Sequence, residues 1–127
     1  MLAVHPGNAF AGQLYARAPL LDGKPREALA ILERQGPPSH GYLGYAYARA
    51  GRRADAERLA MEDDPAAARH DVLIYAALGD RDRVFEALRK LADLDDFMAD
   101  VYPGEPELAS LVDDLRMRDF RRQRNLP

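Results

Sequence analysis

The chain contains no cysteine, which excludes disulfides and cysteine-ligated zinc. It has no threonine and only seven valines and isoleucines in 127 residues, a shortage of β-branched side chains that disfavours sheet. Serine occurs only as Ser39 and Ser110. Ser39 adjoins His40, but it also fits a helix-cap role, so a hydrolase triad is not expected. Long hydrophobic runs are missing too: "VLIYAAL", Val72 to Leu78, is far below the about 20 residues that span a bilayer. The opening "MLAVHPGNAF" lacks the basic and long apolar regions of a signal peptide. A cytoplasmic chain with no membrane partner is expected. Net charge is −3, which argues against a general polyanion binder, so nucleic acid is not the expected partner.

Ala, Leu, Arg and Glu dominate, and that mixture favours helix. Glycine marks a period: Gly23, Gly51 and Gly79 are 28 residues apart. Five residues after each stands Ala28, Ala56 or Val84, and nine after stands Leu32, Ala60 or Leu88. Leu43, Ala46, Tyr47 and Ala50 share one helical face before Gly51; Val84, Ala87, Leu88 and Leu91 make a 3.6-period stripe after Gly79. Glycine directly after such a run is the expected left-handed C-terminal residue of a helix. Pro25 suits the first position of a helix, Asp64 with Pro65 reads as a cap and first residue, and Gly36 as a stop. Pro38 or Ser39 marks the next start. The periodicity predicts three helical pairs, over residues 8–36, 37–64 and 65–93, then a polar connection over 94–105 and a C-terminal helix over 106–124.

These residues resemble the tetratricopeptide repeat (TPR). In "YLGYAYARAGRRADAERL", Leu43, Gly44, Tyr47, Gly51 and Ala56 match its motif at the usual internal spacings. Ala16, Gly23, Ala28 and Leu32 match in the first unit, with Pro19 in the place of Tyr47. Tyr75, Gly79 and Leu88 match in the third, with Val72 and Val84 replacing the small pair. The tail "LVDDLRMRDFRRQRNLP" is similar to the end of bacterial TPR arrays, through Leu111, Asp114, Arg116, Leu126 and Pro127. The resemblance implies an all-α fold of about three TPR-like hairpins stacked as a short solenoid with a C-terminal capping helix. It also implies that Ala16 faces Ala28 and Gly44 faces Ala56 across the hairpins, and that Pro19 disturbs the first helix.

A stack of this kind offers a curved surface suited to proteins and peptides. By the resemblance, Gln13, Arg17, Tyr45, Arg49 and Arg69 face the concave groove, where arginines and a tyrosine would suit an acidic or C-terminal peptide. The lysine and asparagine set of chaperone-tail clamps is missing. Tyr47 and Tyr75 are expected in the core; Tyr42 is a further candidate for an aromatic surface. His5, His40 and His70 lie on separate segments with no second ligand at helical spacing, so no metal is expected, and no phosphate loop points to a cofactor. "DLDDFMADVYPGEPE" cannot be an EF-hand, because Met98 and Gly104 stand where glycine and glutamate are needed. The arginines of "RMRDFRRQR" are expected to stay in water while Leu115, Met117 and Phe120 dock.

The expected function is a non-catalytic protein–protein interaction module. The alternative is a regulatory part of a nucleic-acid-linked or signalling system acting through the basic C-terminal helix. Leu2, Val4, Phe10, Leu14, Leu20 and Leu21 form an uncapped apolar opening, and a homodimer or hetero-complex through residues 1–21 is expected from it.

Overall fold

The computed structural model describes residues 9–35, 40–60 and 67–127, with side chains from residue 15 onward. Every regular element among the described residues is helical. The elements are α1 (Ala9–Leu21), α2 (Pro25–Leu32), α3 (His40–Arg49), α4 (Arg53–Ala60), α5 (Ala67–Leu78), α6 (Arg81–Asp93), α7 (Met98–Val101) and α8 (Leu115–Gln123). Two 3₁₀ segments, Tyr102–Gly104 and Pro106–Leu111, lie between α7 and α8. The expected signals at Gly36, Pro38, Ser39, Asp64 and Pro65 lie outside the described residues. So does His5.

The 28-residue glycine period ends three helices in one way. Gly23, Gly51 and Gly79 have φ of 73°, 82° and 79°. At each, the following amide reaches back five residues: Lys24 to the Pro19 carbonyl (2.8 Å), Arg52 to Tyr47 (2.8 Å), Asp80 to Tyr75 (3.0 Å). The glycine amide bonds one turn back inside that loop, which makes a Schellman end that only a residue in the left-handed region can close. Each glycine therefore separates two helices: α1 packs on α2, α3 on α4 and α5 on α6. Pro19 does not disturb α1 as expected. It lies in the last turn of the helix, which runs on to Leu21, and its carbonyl takes the Lys24 amide.

The small residues of the period are core residues. Ala16, Ala28, Ala56, Val72 and Val84 are all fully buried, as are Leu32 and Leu88. The partner expected for Gly44 is corrected. A methyl at Gly44 would sit 2.4 Å from Cγ1 and 2.6 Å from Cδ1 of Ile74, and its three closest neighbours all belong to that residue. Gly44 therefore lets α3 approach α5, in the next hairpin, instead of facing Ala56 of its own. Gly41 adds to the same contact, against Leu73 and His70, and among the described residues α3 packs most extensively on α5.

The tail is less regular than expected. The polar connection holds α7 and a 3₁₀ turn, with Ala99, Tyr102 and Pro103 buried. The C-terminal helix is split at Val112–Asp114. Asp114 adopts an extended backbone and its carboxylate accepts the Arg116 amide at 2.9 Å, which starts α8 afresh. Met117 and Phe120 are buried as expected, whereas Leu115 is 69% exposed. The next residue, Arg116, makes the contact with α6 instead, its guanidinium 4.6 Å over the Phe85 ring.

Candidate functional site

Arg17 projects from α1 and meets the tail. Its Nε donates to Glu107 Oε2 at 3.1 Å and its Nη2 to Oε1 at 3.0 Å, a bidentate pair. Planar forks of this type give both strength and orientation. The same Nη2 also pairs with Glu105. The Tyr42 hydroxyl, from α3, donates to Glu107 Oε2 at 2.9 Å. Burial pushes the Tyr42 hydroxyl well above its ordinary pKa, and the Glu107 carboxylate adds to the shift. Tyr42 therefore stays protonated and remains a donor. Glu107 receives three hydrogen bonds and its side chain is 2% exposed, the condition under which a buried carboxylate is tolerated.

The local sequence explains how Glu107 arrives there. Glu105 is extended, Pro106 opens the 3₁₀ segment, and Leu108 and Leu111 anchor it in the core against α5. Farther along, Arg69 of α5 donates through Nε to Asp96 Oδ2 at 2.9 Å and lies 5.1 Å over the Phe97 ring. The Arg69 bond, helped by the Met98 amide, holds the Asp96 carboxyl below its ordinary range. Tyr102 closes this end by donating to the Arg69 carbonyl.

The five residues selected from the sequence thus have distinct placements. Arg17 and Arg69 hold the acidic segment 96–107. Tyr45 is buried, and burial pushes its hydroxyl upward in pKa while Arg49 pulls it back. Arg49 is exposed and has no ion-pair partner among the described residues. The Gln13 side chain lies outside the described residues. The fold brings two of the expected basic residues onto the acidic connection, Arg17 at Glu105 and Glu107 and Arg69 at Asp96. The pairing of Glu105 and Glu107 with Arg17 was not expected from the sequence. The available signal was two glutamates flanking Pro106, directly before the apolar Leu108 and Leu111.

The basic tail is largely internally paired. Arg116 bonds Asp114 and Asp82, Arg122 pairs with Asp119, and Arg124 with Asp100. Arg121 donates to the Pro103 carbonyl. Arg118 has no acidic partner among the described residues. His40 and His70 come together with ring centroids 6.2 Å apart. Of the apolar opening, Leu20 is 2% exposed and belongs to the core, while Leu21 is 44% exposed; the side chains before residue 15 lie outside the described residues. Among the described residues no helix is long and apolar enough to cross a membrane. Comparison with family models, curated proteins and solved structures returned no match.

Proposed function

We propose that this chain is a non-catalytic interaction module of the cytoplasm, a short TPR-like stack that binds a carboxylate-bearing segment of a protein on its concave face. The observation that carries the reading is the Arg17–Tyr42 clamp on Glu107. Two helices from different hairpins converge there on one carboxylate, and Arg49, exposed seven residues after Tyr42 on the same helix, adds a further cation to that face. Recognition of this kind needs no bond-making chemistry; it uses charge-assisted hydrogen bonds positioned by rigid helices. The alternative through α8 draws less support, because most of its arginines already have partners within the chain.

The test is a binding screen of acidic, neutral and basic peptides against the intact chain at low salt. Acidic peptides should bind preferentially, and Arg49→Glu should weaken them. Equal binding of acidic and basic peptides would remove the reading.

A further inference from the structure

The groove is occupied by the chain itself, and the occupant leaves part of the surface unused. Glu105 and Glu107 engage Arg17 and Tyr42, yet Arg49 keeps its charge in solvent. The resident contact is also open to attack from outside. The Arg17 side chain is 34% exposed and that of Glu105 29%. Gly104 stands before the two glutamates with no atom within 4 Å of a methyl at that position. The turn from Gly104 to Glu107 lies between the buried Tyr102 and Leu108.

We propose that Glu105 and Glu107 are a resident ligand, displaced from Arg17 and Tyr42 by an acidic segment of a partner protein that gains over the resident by also engaging Arg49. This rests on the reading of the groove as a carboxylate-binding face. A tethered ligand competes at an effective concentration of the order of millimolar. A partner with only the same two carboxylates would lose to it. One that places a third carboxylate at Arg49 makes a contact the resident never makes. The groove therefore selects for acidic groups beyond a Glu-x-Glu pair, and the resident turn sets the threshold.

The probe is a labelled oligoglutamate peptide, which carries carboxylates beyond a Glu-x-Glu pair, titrated by fluorescence anisotropy into the full chain. Wild type, Glu105→Gln with Glu107→Gln, and that double variant with Arg49→Ala are compared, with circular dichroism confirming the helices. The double variant should bind at least about tenfold more tightly than wild type, since the tethered competitor is weakened. Adding Arg49→Ala should reverse much of the gain without changing helicity or thermal midpoint, which a purely structural role for Arg49 would not do. Equal binding by wild type and the double variant overturns the competition while the acidic-groove reading stands. Absence of binding to both overturns the two together. If the double variant loses helicity, Glu105→Gln alone carries the comparison, because it leaves the buried Glu107 clamp in place. A smaller gain supports the proposal there, and an unchanged affinity overturns it.

Discussion

Residues 9–93 and residues 94–127 solve the same problems with different residues. The first part ends its helices with Gly23, Gly51 and Gly79. The second makes two more ends of the same kind with Asp95 and Asn125, at φ of 53° and 55°. The Asp96 amide reaches the Leu91 carbonyl at 2.9 Å and the Leu126 amide reaches Arg121 at 2.8 Å, the same five-residue return. Charges divide in a similar way. On α4 the pairs Arg52–Asp55–Arg58 and Arg53–Glu57 are local and open to water. In the tail, Glu107 is buried and its arginine comes from the other end of the chain. Local pairs decorate a helix that would form without them; the distant pair determines where an irregular segment lies.

The sharpest way to break this comparison is to remove one carboxylate from each part. Glu107→Ala should cost about 2–4 kcal/mol. That is below the range for a wholly buried pair, since a third of Arg17 is in solvent, while Glu57→Ala should cost less than about 0.5 kcal/mol. Urea unfolding of both variants measures the difference, and equal losses would mean that the buried clamp contributes no more than a surface pair. Next comes the contact that only the first part makes. Gly44→Ala should destabilise by about 1–3 kcal/mol through overpacking against Ile74. In a double-mutant cycle with Ile74→Ala the two losses should not add; additive losses would place the strain elsewhere.

The helix ends give a smaller effect with opposite signs in the two parts. Gly51→Ala should lose about 1 kcal/mol, because a Cβ is disfavoured in the left-handed region. Asp95→Gly should gain about 0.5 kcal/mol by relieving the same conformation, after the loss of chain entropy is set against it. Thermal midpoints moving in opposite directions would confirm that one geometry underlies both. The mildest effect is one of acidity. Hydrogen bonds from Arg116 depress the Asp114 carboxyl to about 2 from its ordinary 3.8. A depressed carboxylate stabilises the fold fully above its ordinary value, and that contribution is lost as pH falls through about 2. Amide exchange in α8 should therefore accelerate over that acid window in the native chain. In Asp114→Asn it should already be faster at neutral pH and change little on acidification.

Much of the first part could be read from the chain. Glycine at a helix end is a visible mark because few other residues take its place, and the 28-residue period located Ala28, Ala56, Val84 and their burial correctly. Tyr47 also lies in the core as expected, packed under Arg52 at 4.4 Å. The partner of Gly44 was misread, since spacing within one hairpin says nothing about which neighbouring helix comes closest. The tail was harder for a different reason. Asp95 and Asn125 adopt the left-handed region without announcing it, and Asp114 breaks the expected last helix by accepting an amide from a chain that local propensity alone would have kept helical. Arg17 was expected to meet an acidic partner in a groove; it pairs with Glu105 and Glu107 of its own chain, and nothing in its own neighbourhood pointed to a glutamate so far along.

That separation has a kinetic meaning. Arg17 and Glu107 are 90 residues apart, in a molecule whose hairpins are otherwise built from near neighbours. Chains held together by neighbours alone open piece by piece from their ends. A clamp from α1 to the tail ties the outer pieces into one loop, and closing that loop is slow but rewards every element inside it. The expected result is a single cooperative melting step for the intact chain, fraying into separate steps once Arg17 or Glu107 is gone.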